Sequence, residues 1–478
     1  MLKYVKEVIN MMTTIEARLD PKTAQKLIAF EKDEIKNWSH MGRLVWHHMN
    51  HPERSTCPHH EWLKKKFGVK ERTANSIVRT IGGRRSALME LKKTELSSLK
   101  EKLKKKKEKY KKRIKKLNAL KKKAARNKLS EKELASYRKE KTALHEMKQS
   151  IGRMEAKKKK LEKTIKSGKL SLCFGTKKLF KAQYFLKENG FKSHKQWRQA
   201  FRRARDRMMA YIPRSEETFG NQQCHLEMTD KLNTYILSVL PGKSAGSKKK
   251  DKAIQGIVKF NYRPNSGETR SHYLEELDRE LLRHKNKSFD KKPLTGKIIR
   301  RGFAWYVQVS FAMDSVPWST ESTHGNIGLD FNKEFIQACE TDESGNIVGF
   351  KRFDLPNQSK NSRGQHEILE KVKEIVSWAR SVGKDIAYED LDFIKTKAAV
   401  LKASSEKGKD YNRMVHSLNY SQYKKGLQRR CFKEGVTAVA VNPAYTSKNA
   451  KPYCRERKMN IHSGAAWLIA QRARGFRS

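Results

Sequence analysis

The sequence has few acidic residues for its length. Asp and Glu number 51 against 107 Lys and Arg, so the 478-residue chain carries a formal net charge of +56. An excess of that size requires polyanionic partners, and nucleic acid is the commonest one. A ribosomal-type protein, or one that its charge merely solubilises, is the alternative interpretation of this composition.

Cysteine is scarce, and long apolar runs are absent. The six cysteines lie far apart without a CxxC pair, which argues against a disulfide framework and a zinc ribbon. No apolar run is long enough to span a bilayer, and the first 14 residues, MLKYVKEVINMMTT, lack the apolar core of a signal peptide. We therefore expect a cytoplasmic, nucleoid-associated protein without a membrane partner. CPHHEW (57–62) could hold a metal, although surface or packing roles explain it more simply.

The first part of the chain combines a short strand with helices. Residues 13–19 alternate as a strand does, and Asp20-Pro21 ends that segment. Between about 86 and 166 the chain is lysine-rich with an apolar stripe on each of two arms, which predicts an antiparallel helical hairpin joined near residue 128. Ser130 and Glu133 have the spacing of a capping box. Lysine at this density favours contact with phosphate, although a solvated spacer also fits.

Aromatic and basic residues are interleaved from 170 to 227. The aromatics could stack on bases while arginines hold the backbone, and burial in a core fits the pattern equally well. From about 228 to 320 the period becomes two, which predicts a small β-barrel that the strand at 13–19 could close. The candidate arginines are Arg198, Arg202, Arg203 and Arg205.

The segment from 323 to 478 reads as three strands followed by alternating helices and strands, the order of an RNase H-like domain. In such a sheet Asp330, on the first strand, lies beside the strand that carries Glu389. Two neighbouring carboxylates repel and raise each other's pKa, and a hard cation such as Mg²⁺ or Mn²⁺ relieves the repulsion. We therefore predict that both are metal ligands and catalytic residues of phosphodiester hydrolysis. Taken singly, each could be an ordinary strand-end carboxylate.

Several stretches resemble the TnpB proteins, transposon-encoded RuvC-type RNA-guided nucleases akin to type V CRISPR effectors. IGLDFN and IAYEDLDF are similar to their first and second RuvC motifs, and IHSGAAWLIAQRA occupies the place of the third. VNPAYTSK is similar to the segment that follows the second helix. LCFGTKKLFKAQ and GNQQC are similar to the recognition region of one TnpB-related branch.

The resemblance implies a multidomain α+β protein that binds a guide RNA, transposon-derived or CRISPR-like. It also implies a target in double-stranded DNA next to a short adjacent motif, and magnesium-dependent hydrolysis. The implied domains are a wedge β-barrel (1–20 and 228–322), a helical recognition lobe (21–227) and an RNase H-like RuvC domain (323–478).

The sequence departs from the TnpB pattern in two places. Where the family usually carries a CxxC…CxxC zinc finger, this chain has only Cys454, so we expect no structural zinc. Where the third motif usually has Asp, this chain has His462, the weaker third candidate for a catalytic and metal-binding residue. Glu456 or Asp410 could substitute for it. Because a neutral imidazole neutralises less charge than a carboxylate, activity could be reduced or lost, and His462 could be only a helix-start residue.

Four further residues near these motifs are candidates for nucleic-acid contacts. Arg472 and Arg474 could hold the scissile phosphate, and Thr446 and Ser447 could donate to the backbone, although a solvated helix face and turn capping explain them as well. The sequence therefore favours an RNA-guided DNA endonuclease of a transposable element. The alternatives are a nuclease-dead, RNA-guided DNA-binding repressor and a basic DNA-binding protein without RNA.

Overall fold

In the computed structural model the chain is a mixed α/β protein with two compact units. The first contains residues 12–103 and 110–313, and the second contains residues 314–478 together with 104–109 and the chain up to residue 11. No helix among the described residues is long and apolar enough to cross a membrane. The structure describes residues 11–30, 34–54, 57–126, 130–213, 217–241, 253–262, 271–314, 317–332, 334–355, 362–390, 420–443 and 445–476.

Two long helices dominate the described helical part of the first unit. Helix α4 has 54 residues and helix α5 has 37. The helices of this unit are α1 Pro21–Phe30, α2 Lys36–Asn50, α3 His59–Phe67, α4 Glu71–Ala124, α5 Glu131–Ser167, α6 Lys177–Lys181, α7 His194–Arg205 and α8 His272–Lys285.

Helices α4 and α5 form the antiparallel hairpin that the sequence predicts. The Ser130 side chain accepts from the Glu133 backbone N–H while the Glu133 carboxylate accepts from the Ser130 N–H, so the predicted capping box is confirmed. Residues 127–129, at the predicted turn, lie outside the described residues. Three ion pairs join the helices at successive positions away from the turn. Their N···O separations are 2.7 Å for Lys123–Glu133, 3.0 Å for Lys116–Glu140 and 3.2 Å for Lys100–Glu162.

Two sheets complete the first unit. One has the order β1-β7-β6-β2 and the other the order β3-β4-β5, and a single bridge between Leu19 and Val258 links them. Strand β1 therefore pairs with β7, nearly 300 residues later in the chain, and the β-barrel stays a prediction. The strands are β1 Met11–Arg18, β2 Met208–Tyr211, β3 Cys224–Met228, β4 Thr234–Val239, β5 Ile254–Lys259, β6 Thr295–Arg301 and β7 Ala304–Met313.

Strands β2 and β3 begin earlier in the chain than the alternating pattern indicates. Strand β2 lies within the 21–227 range that the sequence predicts to be helical, and β3 begins in it. Strand β2 has only four residues, all without charge, so it offers no alternation of polar and apolar side chains to detect. Its pairing with β6 supplies the order that its own pattern lacks. The division into wedge, recognition lobe and nuclease domain stays a prediction.

The second unit is built on one five-stranded sheet with the order β10-β9-β8-β11-β12. Strands β8, β9 and β10 are antiparallel neighbours, whereas β11 runs parallel to both β8 and β12. The predicted order of strands and helices is confirmed, and one further helix, α11, precedes the last. The elements are β8 Asn326–Phe331, β9 Phe335–Thr341, β10 Ile347–Asp354, α9 Ser362–Ser381, β11 Asp385–Glu389, α10 Tyr420–Glu434, β12 Ala438–Val441, α11 Thr446–Glu456 and α12 Ile461–Ala473.

The two faces of this sheet bury alternate residues of the same strands. Leu329 and Tyr388 point into a large apolar cluster with α9 and α10. On the opposite face, Ala387 packs against Ile469 of α12. Because side chains alternate along a strand, the residues that follow Leu329 and Tyr388 point toward the face that α12 covers. Those residues are Asp330 and Glu389.

Gly328 allows α12 to lie close against the sheet. A Cβ atom at this position would collide with the backbone carbonyl oxygen of Ala466 and would lie 2.6 Å from the Ala470 nitrogen. Backbone atoms of a packed helix cannot move aside cheaply, so no larger residue fits there without displacing the helix.

We therefore expect Gly328→Ala to lower the free energy of unfolding by about 1–3 kcal/mol. Gly349→Ala is the matched control, because Gly349 lies in the same sheet and an added Cβ there meets nothing within 4 Å. Urea denaturation of both variants measures the difference. Equal midpoints for the two variants would contradict the close packing of α12 on β8.

Candidate active site

Asp330 is the second-last residue of β8, and Glu389 ends β11, the parallel strand beside it. The register of β8 and β11 places Tyr388 beside Leu329, so the next residues, Glu389 and Asp330, come side by side at the carboxyl ends of both strands. Both point away from the apolar cluster that contains Leu329 and Tyr388. The predicted adjacency of the two strands is confirmed, and the carboxylates are close enough for the charge of Asp330 to act on Glu389.

The Asp330 carboxylate is held by two neighbours. Its Oδ2 accepts a hydrogen bond from Asn332 Nδ2 at 2.9 Å and another from His462 Nδ1 at 2.9 Å. A carboxylate can only accept, so the Nδ1 atom of His462 carries the proton. The Asp330 side chain is 13% exposed, which leaves limited access to the carboxylate from solvent.

His462 reaches Asp330 from the first turn of α12. The Asn460 side chain caps this helix by accepting from the backbone N–H groups of His462 and Ser463, at 3.0 and 2.8 Å. The imidazole meets the Phe335 ring edge to face, at 5.1 Å between centroids. The hydrogen bond to Asp330 raises the pKa of His462 above its ordinary value, although partial burial opposes the rise. The structure therefore brings His462 to the carboxylate that the sequence places at the centre of the site.

Glu389 is the most perturbed acid in this region. Burial, and then the charge of Asp330, raise the pKa of Glu389 to about 7, although a hydrogen bond with Thr446 and the charge of Arg472 act in the opposite direction. A carboxyl group with this pKa is half protonated near neutral pH. Its nearby positive charge does not offset the loss of water, which is the situation that a bound cation would correct.

Thr446 and Arg472 lie beside Glu389. Thr446 begins α11 and is 2% exposed. The Arg472 guanidinium donates to Thr446 Oγ1 at 2.9 Å and also to the Asn442 carbonyl oxygen. The structure therefore places both side chains behind the acid. The sequence had singled them out for nucleic-acid contact, and this role stays a prediction.

Two of the remaining candidates in this unit, Arg474 and Glu456, lie among the described side chains. Arg474 is exposed and donates to the backbone oxygen of Glu343. Glu456 is exposed at the last residue of α11. The Ser447 side chain and Asp410, in the gap 391–419, lie outside the described part of the chain. No group of three or more His, Cys, Asp or Glu side chains among the described residues is arranged to hold a metal ion, so the predicted three-ligand set is not assembled there.

In the first unit, helix α7 carries the four candidate arginines. Arg198, Arg202 and Arg203 are exposed. Arg205 instead forms a bidentate ion pair with the buried Asp206, at 2.8 and 2.6 Å. Its guanidinium is thus committed to an internal carboxylate, a partner that adjoins it in the sequence.

The sequence analysis missed one residue that orients the site. Asn332 lies two positions after Asp330 and donates to its carboxylate. The signal was present, because residues two apart in an extended chain project toward the same side. An amide at that spacing from a buried acid is a candidate partner for it.

The raised pKa of Glu389 predicts a specific dependence of stability on pH. In the folded chain the pKa of Glu389 is about 7, against 4.5 for a glutamate fully exposed to water. The folded state therefore holds a proton that the unfolded state loses above about pH 4.5, so stability declines as pH rises from there to about 7. Glu389→Gln should remove this decline, which amounts to up to about 3 kcal/mol.

Urea unfolding at pH 5 and pH 8 in EDTA measures the effect. Glu374→Gln, which replaces a carboxylate on the surface of α9 that pairs with Lys371, should behave as the wild type does. If the wild type and Glu389→Gln lose the same stability between the two pH values, the assignment of the raised pKa to Glu389 is wrong.

Comparisons with known proteins give RuvC and Cas12 structures as structural neighbours. No protein-family model and no curated protein matches the sequence. The T. thermophilus RuvC–Holliday junction complex has 13% identity and a TM-score of 0.22, covering 30% of this chain and 89% of that one. A CRISPR-Cas12f ternary complex has 12% identity and a TM-score of 0.22, covering 96% and 98%. A Cas12i1 R-loop complex has 11% identity and a TM-score of 0.23, and the chain spans 53% of its length. Likenesses at such TM-scores carry no argument about activity.

Proposed function

We propose that this chain is an RNA-guided DNA endonuclease of a transposable element, with an RNase H-like nuclease domain in the second unit. The observation that carries the nuclease is the pair Asp330 and Glu389 on adjacent parallel strands, on one face of the sheet. Guide RNA, target DNA and the adjacent motif follow from the resemblance to TnpB proteins and from the net charge of +56.

The residues present fit a hard divalent cation. Carboxylate oxygens are the ligands that Mg²⁺ prefers, and Asp330 and Glu389 offer them side by side. The raised pKa of Glu389 marks a carboxyl group that lacks sufficient positive charge around it. Asp330 and Glu389 would hold the ion, with His462 as the weaker third ligand. The bound ion would stabilise the attacking water and the leaving oxygen of phosphodiester hydrolysis.

The protein's own side chains orient the two acids. Asn332 and His462 both donate to Oδ2 of Asp330, which fixes the rotation of that carboxylate. On the Glu389 side, Thr446 is itself held, because its hydroxyl accepts from Arg472 at 2.9 Å and donates to the Pro443 carbonyl oxygen at 3.2 Å. Such hydrogen-bonded partners hold ligand groups in place before an ion or a substrate arrives. With the proton on Nδ1, only Nε2 has a free lone pair, and Nε2 lies on the far side of the ring from Asp330. His462 would therefore ligate an ion shared with Asp330 only after the imidazole turns.

The bond between His462 and Asp330 favours a second candidate, an RNA-guided DNA-binding protein with weak or no nuclease activity. A cation bound by Asp330 would compete with the His462 N–H for Oδ2. In addition, a histidine brings no negative charge to the site. Both effects would weaken cation binding relative to a site with three carboxylates.

Cleavage of a matched target tests the nuclease. We expect the protein purified with its RNA to cut DNA that matches that RNA, with Mg²⁺ and not in EDTA. Asp330→Ala and Glu389→Gln should each reduce the rate by more than about 100-fold. Glu374→Gln should retain the wild-type rate. His462→Asp should cut faster than the wild type, because it supplies a third carboxylate.

The alternatives give different outcomes in the same experiment. Matched binding without cutting, by the wild type and by His462→Asp alike, would replace the enzyme with an RNA-guided binder. The absence of any discrete RNA in the purified protein would leave a basic DNA-binding protein. Sequencing the co-purified RNA provides the guide and decides between these two.

A further inference from the structure

A cleft of about 470 Å³ in the first unit is lined mainly by arginine. It lies between the end of α7 and the turn that joins β6 to β7. Four of its seven lining residues are arginines, and none of the seven is acidic. The lining residues are Arg203, Ala204, Arg207, Arg300, Arg301, Gly302 and Phe303.

The positive charge of this cleft is concentrated and only partly compensated. Arg203 and Arg207 are exposed, and neither forms an ion pair with a described carboxylate. The Arg301 guanidinium donates two hydrogen bonds to the Glu16 carboxylate, at 2.6 and 2.7 Å, and stacks on the Tyr306 ring. Like charges gathered in one concave site repel unless an anion lies among them, so the cleft is suited to phosphate.

The basic surface extends beyond this cleft. Arg207 also lines a neighbouring cavity of about 220 Å³, together with Arg84 and Arg205. Burial, and then the charge of Arg207, lower the pKa of the Arg84 guanidinium.

An aromatic ring stands at the edge of the arginine cleft. Phe303 is 100% exposed at the turn after Gly302, whose φ of +60° suits glycine. The strand that follows buries every second residue, including Trp305 and Val307, so the core does not require Phe303. An exposed phenyl ring beside arginines resembles the platforms on which proteins stack unpaired bases.

We propose that this cleft binds one unpaired nucleotide of a nucleic-acid strand, with its phosphates against Arg203 and Arg207 and its base on the Phe303 ring. A volume of about 470 Å³ falls in the usual range of small-ligand sites. A duplex hides its base faces, so the ring selects a single strand, bulge or flipped base. RNA and DNA share this chemistry. The inference rests on the proposed function only in taking nucleic acid as the ligand.

Oligonucleotides that contain the fluorescent base 2-aminopurine provide the test. The full chain, freed of nucleic acid, is titrated in EDTA with short single-stranded RNA, single-stranded DNA and duplex. We expect the wild type to quench 2-aminopurine in at least one single strand, and Phe303→Ala to lose the quenching and about tenfold in affinity. Phe303→Tyr should retain both. Phe289→Ala, which removes another fully exposed phenyl ring, should match the wild type.

The arginines are tested by salt dependence. Log affinity falls as log salt rises. In the double variant Arg203→Ala/Arg207→Ala the slope should become less steep by about 0.7 for each lost phosphate contact. The control Arg363→Ala/Arg380→Ala removes the same charge from α9 in the second unit and should change the slope less. Whichever single strand, RNA or DNA, shows the larger change in slope in the arginine variant is the strand that the cleft binds.

Two results would overturn the proposal. One is equal quenching and equal affinity for Phe303→Ala and Phe289→Ala. The other is that Phe303→Ala loses affinity for duplex only. These titrations contain EDTA and measure binding without cleavage. A failed nuclease therefore leaves the cleft result standing, and a failed cleft leaves the cleavage result standing.

Discussion

The second unit depends on one electrostatic conflict, two carboxylates set side by side on parallel strands. Asp330 and Glu389 extend from a sheet whose other face is closed by a large apolar cluster. Burial and repulsion both disfavour the doubly charged state. The chain's own groups ease the conflict in two ways. The Nδ1–H group of His462 donates a hydrogen bond to the Asp330 carboxylate, and Glu389 takes up a proton at a pH close to neutral.

The packing of α12 connects this conflict to the rest of the fold. Gly328 lets the helix backbone lie directly on β8, and this close approach carries His462 to Asp330. The same helix brings Arg472 to Thr446, behind Glu389. Ten residues of α12 are buried, so the helix is fixed on several sides. One small residue on a strand thereby determines what surrounds both acids.

Features that depend on a few neighbouring residues were predictable from the sequence. The directions of side chains that are set by the packing of distant elements were not. The capping box at Ser130 and the alternation in β7 each depend on a few neighbouring residues, and both are present. The pairing of β8 with β11 followed from the order of elements. Arg472, by contrast, points to Thr446 because of how α11 and α12 pack. Strand β2 was missed because its order comes from β6, and the exposed position of Phe303 was missed because a turn leaves no periodic signal.

The central claim is that Asp330 and Glu389 share a bound divalent cation. Anomalous scattering from crystals soaked in Mn²⁺ tests this most directly, because manganese is located without reference to activity. The account predicts a peak within coordination distance of both carboxylates, and no such peak in Asp330→Ala crystals. Manganese bound elsewhere, or a wild-type site that stays empty while Glu389 remains protonated, would contradict it.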